Sequence, residues 1–112
     1  MAAALQAAWQ GASVVLFERN QAPGKKLQVT GSGRCNITNQ AAGAEKYTCA
    51  DVQWIQKLLA SFGVEELLSM LADIGIPVNP THDGWYYPLS DSARTVVDAF
   101  GSALQLAGVD IY

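Results

Sequence analysis

The chain has 112 residues, half of them hydrophobic and only 15% charged. Such a composition supports one small domain with a buried core and excludes a disordered tail. The net charge of −3 conceals an asymmetry: residues 1–40 hold four cations and one acid, whereas residues 41–112 hold three cations and nine acids. The clustered basic residues suit a local anion such as a phosphate and argue against a nucleic-acid partner, which needs a wider basic face. No apolar run approaches the ~20 residues that span a bilayer, so no membrane role is expected. Cys35 and Cys49 lie outside any zinc-finger spacing and His82 is the single histidine, so no metal site is predicted. The first ten residues lack the basic start of a secretory signal, and the expected location is cytoplasmic.

In chain order, residues 1–10 are rich in Ala and Leu and predict a helix ended by Gly11. Ser13-Val14-Val15-Leu16-Phe17 is a continuous apolar run, predicting a parallel strand buried on both faces, with Glu18 at its tip. Ala22-Pro23-Gly24 breaks the chain ahead of Lys25-Lys26. A small-residue helix that leads through a glycine into a buried strand tipped with an acid reads as the second half of a βαβ unit. Asp51 is a candidate cap for a helix over 52–59, with Gly63 as its end. Glu65 and Glu66 favour the first turn of a second helix carrying Leu67, Leu68, Leu71 and Ile74, stopped by Gly75. Residues 76–79 and 85–88 flank the turn-rich Pro80-Thr81-His82-Asp83-Gly84 and predict a hairpin. A third helix is expected from Ser90 or Asp91 to about Ala107, with Val96, Val97, Phe100, Ala103, Leu104 and Ala107 on one face, followed by a strand over 109–112.

The residues that suit a core least are those of Gly31-Ser32-Gly33-Arg34-Cys35-Asn36. Glycines let a backbone approach a ligand closely, and Arg34 offers a rigid fork of donors for phosphate or another electron-rich group. Cys35 reads either as a reactive thiol lowered by its arginine neighbour or as a small buried residue, the commoner fate of a free cysteine. Glu18 is placed either to accept hydrogen bonds from the ribose hydroxyls of an adenine dinucleotide or to sit solvated beside Arg19. Lys25 and Lys26 offer point charges to a pyrophosphate, although most lysine pairs in loops are simply solvated. No Ser-His-Asp set or carboxylate pair assembles, and no catalytic residue is named.

Glu18-Arg19-Asn20, Pro23-Gly24-Lys25-Lys26-Leu27 and the GxGRCNxTN loop over residues 31–39 together resemble the early region of the BaiN-like NAD(P)/FAD-dependent oxidoreductases. Gly84-Trp85-Tyr86-Tyr87-Pro88-Leu89-Ser90 resembles that family's GRxxPxS-type segment, with Trp85 where an arginine is common. The resemblance covers nearly the whole chain. It implies a bacterial flavoprotein that binds FAD in a Rossmann-like domain, with NAD(P)H as electron donor and a small organic substrate; some members reduce unsaturated ring ketones. By position, it implies that Glu18 binds the adenosine ribose and Arg19 lies beside the adenine. Lys25 and Lys26 would approach the pyrophosphate or flavin, and Gly31, Gly33, Arg34, Cys35 and Asn36 would lie toward the flavin.

The expected fold is therefore α/β: an incomplete Rossmann-like FAD-binding domain over residues 1–112, with a helical and hairpin segment over about 50–89. The first strand and the GxGxxG turn are absent from the sequence, and the start is read as truncated. Dinucleotide phosphates normally rest on that turn at a helix N-terminus, so this chain alone is expected to bind FAD weakly. The leading expectation is a fragment of an FAD-dependent oxidoreductase. The alternative is a non-catalytic remnant or partial domain without turnover.

Overall fold

Alanine and leucine, the residues least penalised in a helix, open the chain as α1 (Ala2–Trp9), whose Leu5 is fully buried. Gly11 then takes φ +85° and turns the chain toward β1 (Val15–Leu16). The structure, a computed structural model, describes all 112 residues, Met1–Tyr112. They form two compact units: residues 1–35 with 90–112, and residues 36–89.

In the first unit β1 pairs in parallel with β5 (Asp110–Ile111), Val15 opposite Asp110 and Leu16 opposite Ile111. Backbone bonds from Asp110 N to Val14 O (3.1 Å), Tyr112 N to Leu16 O (3.0 Å) and Glu18 N to Tyr112 O (2.7 Å) extend this ladder to the acid at the strand tip. The expectation of a strand buried on both faces is corrected here: Val15 is 47% and Phe17 81% exposed. The physical reason is what packs on the sheet. Helices cover the faces of a parallel strand, whereas the helices of this unit, over residues 2–9 and 93–106, pack chiefly on each other and on the turn over residues 27–33.

The core of this unit comes from α4 (Ala93–Leu106), whose buried residues Ala93, Val96, Val97, Phe100 and Leu104 recur at helical spacing. Leu5, Cys35 and Val109 complete it. Full burial of Leu5 or Leu104 contributes about 1.5–3 kcal/mol each. An irregular helical turn, Leu27–Gly33, packs on α4. Gly24 (φ +94°) lies so close to α4 that a Cβ there would stand 2.8 Å from Val97 Cγ2.

The second unit begins with β2 (Thr38–Asn39) and a short turn at Ala44–Lys46. Asp51 then caps α2 (Val52–Ser61), its carboxylate accepting from Trp54 N at 2.9 Å. Gly63 does not end α2, which closes at Phe62. It begins α3 (Val64–Asp73), and its N–H donates to Glu66 Oε2 at 2.8 Å. The acid three residues into α3 captures the glycine for the new helix. The predicted hairpin is present as β3 (Val78–Pro80) and β4 (Trp85–Pro88), and β2 adds to its far edge in the antiparallel order β2-β4-β3. Ile55, Met70, Leu71 and Ile76 form the core here. No helix of the chain is long and apolar enough to cross a membrane.

Candidate functional site

The tip of β1 carries Glu18, which the ladder to β5 fixes through its own backbone N–H. Two residues on, Asn20 folds back and gives Glu18 Oε1 two hydrogen bonds, from its backbone N (2.8 Å) and its Nδ2 (2.6 Å). These donors, the backbone N–H foremost, hold the Glu18 carboxyl below the usual range, with burial opposing weakly. Oε1 is thus committed to Asn20, while neither bond uses Oε2. An anionic acceptor is held in place at the end of a strand.

Glu18, Arg19, Lys25 and Lys26 line one groove of about 600 Å³, together with Asn20, Gly24, Leu27 and Val29. The close seating of Gly24 against Val97 carries the two lysines to this groove. One carboxylate therefore shares a concave surface with two lysines and an arginine. The chemistry of that set fits a sugar diol joined to a pyrophosphate: the carboxylate accepts from vicinal hydroxyls and the cations neutralise phosphate oxygens.

Gly31, Gly33, Arg34 and Cys35 are not among the residues lining this groove. They form a separate feature of the same unit, an unusual run of left-handed backbone. Gly31 (φ +54°), Ser32 (φ +57°), Gly33 (φ +89°) and Cys35 (φ +62°) all lie in the region that glycine tolerates best. Arg34 N donates to Gly31 O (3.1 Å) and Cys35 N to Thr30 O (3.1 Å), closing the loop on itself. Arg34 Nε donates to Asp91 Oδ1 at 2.6 Å, tying the loop to the entry of α4 at a residue that is itself left-handed (φ +51°). Both side chains of that pair remain about half exposed. Of the two readings of Cys35, the structure supports the buried one. The residue is 2% exposed, and burial raises its thiol above the ordinary value, with a hydrogen bond to Thr30 opposing. Asn36 is half-buried and opens the second unit.

Asn20 and Asp91 had not been singled out from the sequence. Asn20 carried a usable signal, since asparagine two residues from an acid bonds locally to backbone and side chain alike. Asp91 carried none, because its partner Arg34 stands 57 residues away in the chain.

The family model described as the HI0933-like protein Rossmann domain matches residues 1–112. The chain is 36% identical over 101 residues to the 3-dehydro-bile acid delta(4,6)-reductase of Clostridium scindens, covering 90% of this chain and 24% of that protein. It is also 26% identical over 108 residues to the ribosomal RNA dihydrouridine synthase of Haemophilus influenzae, covering 96% of this chain and 27% of that enzyme. The Escherichia coli protein of the same name is 28% identical over 88 residues, covering 79% of this chain and 22% of its own. The chain thus spans about a quarter of the length of these curated relatives. A Rossmann-like α/β unit and a family match over residues 1–112 lead to one conclusion: the chain belongs to the HI0933-like Rossmann-domain family.

Proposed function

We propose that the chain contributes the FAD-binding part of an oxidoreductase that moves hydride between a nicotinamide cofactor, FAD and a small organic substrate. The observation that carries this reading is the groove at the tip of β1, where Glu18, Lys25 and Lys26 converge. Glu18 Oε2 accepts from the adenosine ribose, held in position because Asn20 occupies Oε1. Lys25 and Lys26 neutralise the pyrophosphate, and Arg19 lies toward the adenine. Gly31, Gly33, Arg34, Cys35 and Asn36 are assigned to the flavin side. FAD, when bound, supplies the hydride-accepting centre; the protein groups bind and orient it. The name of the Clostridium relative supports an unsaturated ring ketone as the substrate class. The two free thiols, Cys35 and Cys49, support a reducing, cytoplasmic setting.

The test is a titration with FAD, FMN and ADP, followed by flavin fluorescence and competition. FAD is expected to bind better than FMN, because FMN lacks the adenosine that Glu18 and Arg19 hold, and ADP is expected to compete. Glu18→Gln weakens FAD by about tenfold or more, the scale of a hydrogen bond to a charged group. Equal affinity for FAD and FMN, or an indifferent Glu18→Gln variant, refutes the assignment. A second reading, a partial domain without turnover of its own, is favoured by the single neighbour of β1. Oxidation of NADH or NADPH by the chain with added FAD would count against it.

A further inference from the structure

The edge of β1 away from β5 pairs with no strand. On its other side, the ladder to β5 uses Val14 O, Leu16 O and Glu18 N. Backbone groups alternate in direction along a strand, so the N–H and C=O of Val15 and Phe17 point to the open edge. The side chains of these two residues stand exposed on one face of the strand, where the Phe17 ring lies 6.1 Å from that of Tyr112. A row of open backbone groups between exposed apolar side chains is a template for a further strand. By the same alternation, the outer edge of β5 offers Ile111 alone.

The β1 edge is complementary to itself. With two copies antiparallel about Leu16, Val15 of each stands opposite Phe17 of the other, and each such pair exchanges both of its backbone bonds. That register also sets a β-branched residue against an aromatic one on either side of the axis, a favourable cross-strand pair. Charge favours the same surface. The first unit holds five cations and four acids, whereas the second holds two cations and six acids. Copies meeting through the first unit therefore bring nearly neutral surfaces together. The exposed apolar residues Trp54, Leu58 and Phe62, on α2 and at its end, belong to the second unit, where two copies would set like charge against like.

We propose that the chain forms a two-fold dimer through β1, with the two ladders joined as one four-stranded sheet in the order β5-β1-β1-β5. The contact is isologous and closes on itself, because each copy fills the open edge of the other. The inference goes beyond FAD binding and is read on the chain without flavin, so the two fail separately.

The experiment is sedimentation equilibrium of the full chain over a range of concentrations. A monomer–dimer equilibrium is expected. Val15→Lys and Phe17→Lys each place a charge at the edge, and the two-fold repeats the loss, so each weakens the dimer by about tenfold or more. Both residues are exposed, so the urea midpoints of the dilute variants should stay close to that of the parent. Leu58→Lys, on the α2 surface, should leave association unchanged. Register is read by cross-linking in a Cys49→Ser background: a mixture of Val15→Cys and Phe17→Cys chains joins on oxidation with diamide, whereas each alone joins far less. A monomer at every concentration overturns the proposal and leaves the edge to a strand of another partner. Association that survives both lysines, that Leu58→Lys abolishes, or that grows beyond two copies overturns it as well.

Discussion

Replacing Gly24 with alanine tests how the loop bearing Lys25 and Lys26 is held. Gly24 sits at φ +94°, where a residue with a Cβ costs about 1–2 kcal/mol. The added Cβ would also stand 2.8 Å from Val97 Cγ2, 2.9 Å from Val97 Cγ1 and 3.1 Å from Met1 Cε. Val97 is buried and β-branched, so changing its rotamer does little to clear both methyls, and overpacking costs a further ~1–3 kcal/mol. Gly24→Ala is therefore expected to lose about 2–5 kcal/mol, a large share of the ~5–15 kcal/mol typical of a domain. Gly11→Ala is the internal control. It has a similar φ of +85° but nothing within 4 Å of the new Cβ, so it pays the backbone cost alone. Urea unfolding of both variants, with Val97→Ala added to each, measures the difference. Val97→Ala should recover part of the loss in Gly24→Ala and none in Gly11→Ala. Equal losses for the two glycines, or no rescue by Val97→Ala, refute the steric argument.

Three further outcomes follow from the latch of the left-handed loop and from the two thiols. The Arg34–Asp91 pair is about half exposed and contributes no more than ~1 kcal/mol, so Asp91 chiefly bears a backbone cost at φ +51°. Asp91→Gly should then be more stable than Asp91→Ala by about 1–2 kcal/mol, since both lose the ion pair and only glycine relieves the backbone; equal urea midpoints would sink this idea. For the thiols, an alkylating reagent should reach the partly exposed Cys49 well before the buried Cys35. Because burial raises the Cys35 thiol, the unfolded chain loses this proton first. Stability therefore falls as pH rises past the ordinary thiol range, and that slope should vanish in Cys35→Ala. A slope that survives the substitution assigns it to another group.

The helices were legible because their signals are local. Asp51 and Glu66 supply side-chain acceptors to α2 and α3, and the apolar residues of α4 recur at helical spacing. The β3–β4 hairpin was legible from its turn residues, Pro80 to Gly84. What escaped depends on partners distant in the chain. Thr38 and Asn39 have no strand pattern of their own; they become β2 because Ile37 N and Gln40 N find carbonyls on Tyr86 and Gly84. Gly63 was ambiguous since a glycine serves equally at the end of one helix or the start of the next, and the carboxylate of Glu66 decided between them. The acid at Glu18 was visible as a strand-tip residue, but its clamp by Asn20 and the groove shared with two lysines needed coordinates.

The parallel pairing of β1 with β5 also sets an order of events during synthesis. Val15 meets Asp110, and Leu16 meets Ile111, so the first unit joins residues from opposite ends of the chain. Residues 36–89 are one uninterrupted stretch, and their three strands pair with one another in the antiparallel order β2-β4-β3. On the ribosome this inner segment can complete its contacts while the opening helix and strand wait, apolar and unpaired, for α4 and β5 to emerge. Val15 and Leu16 are thus translated long before the residues they pair with.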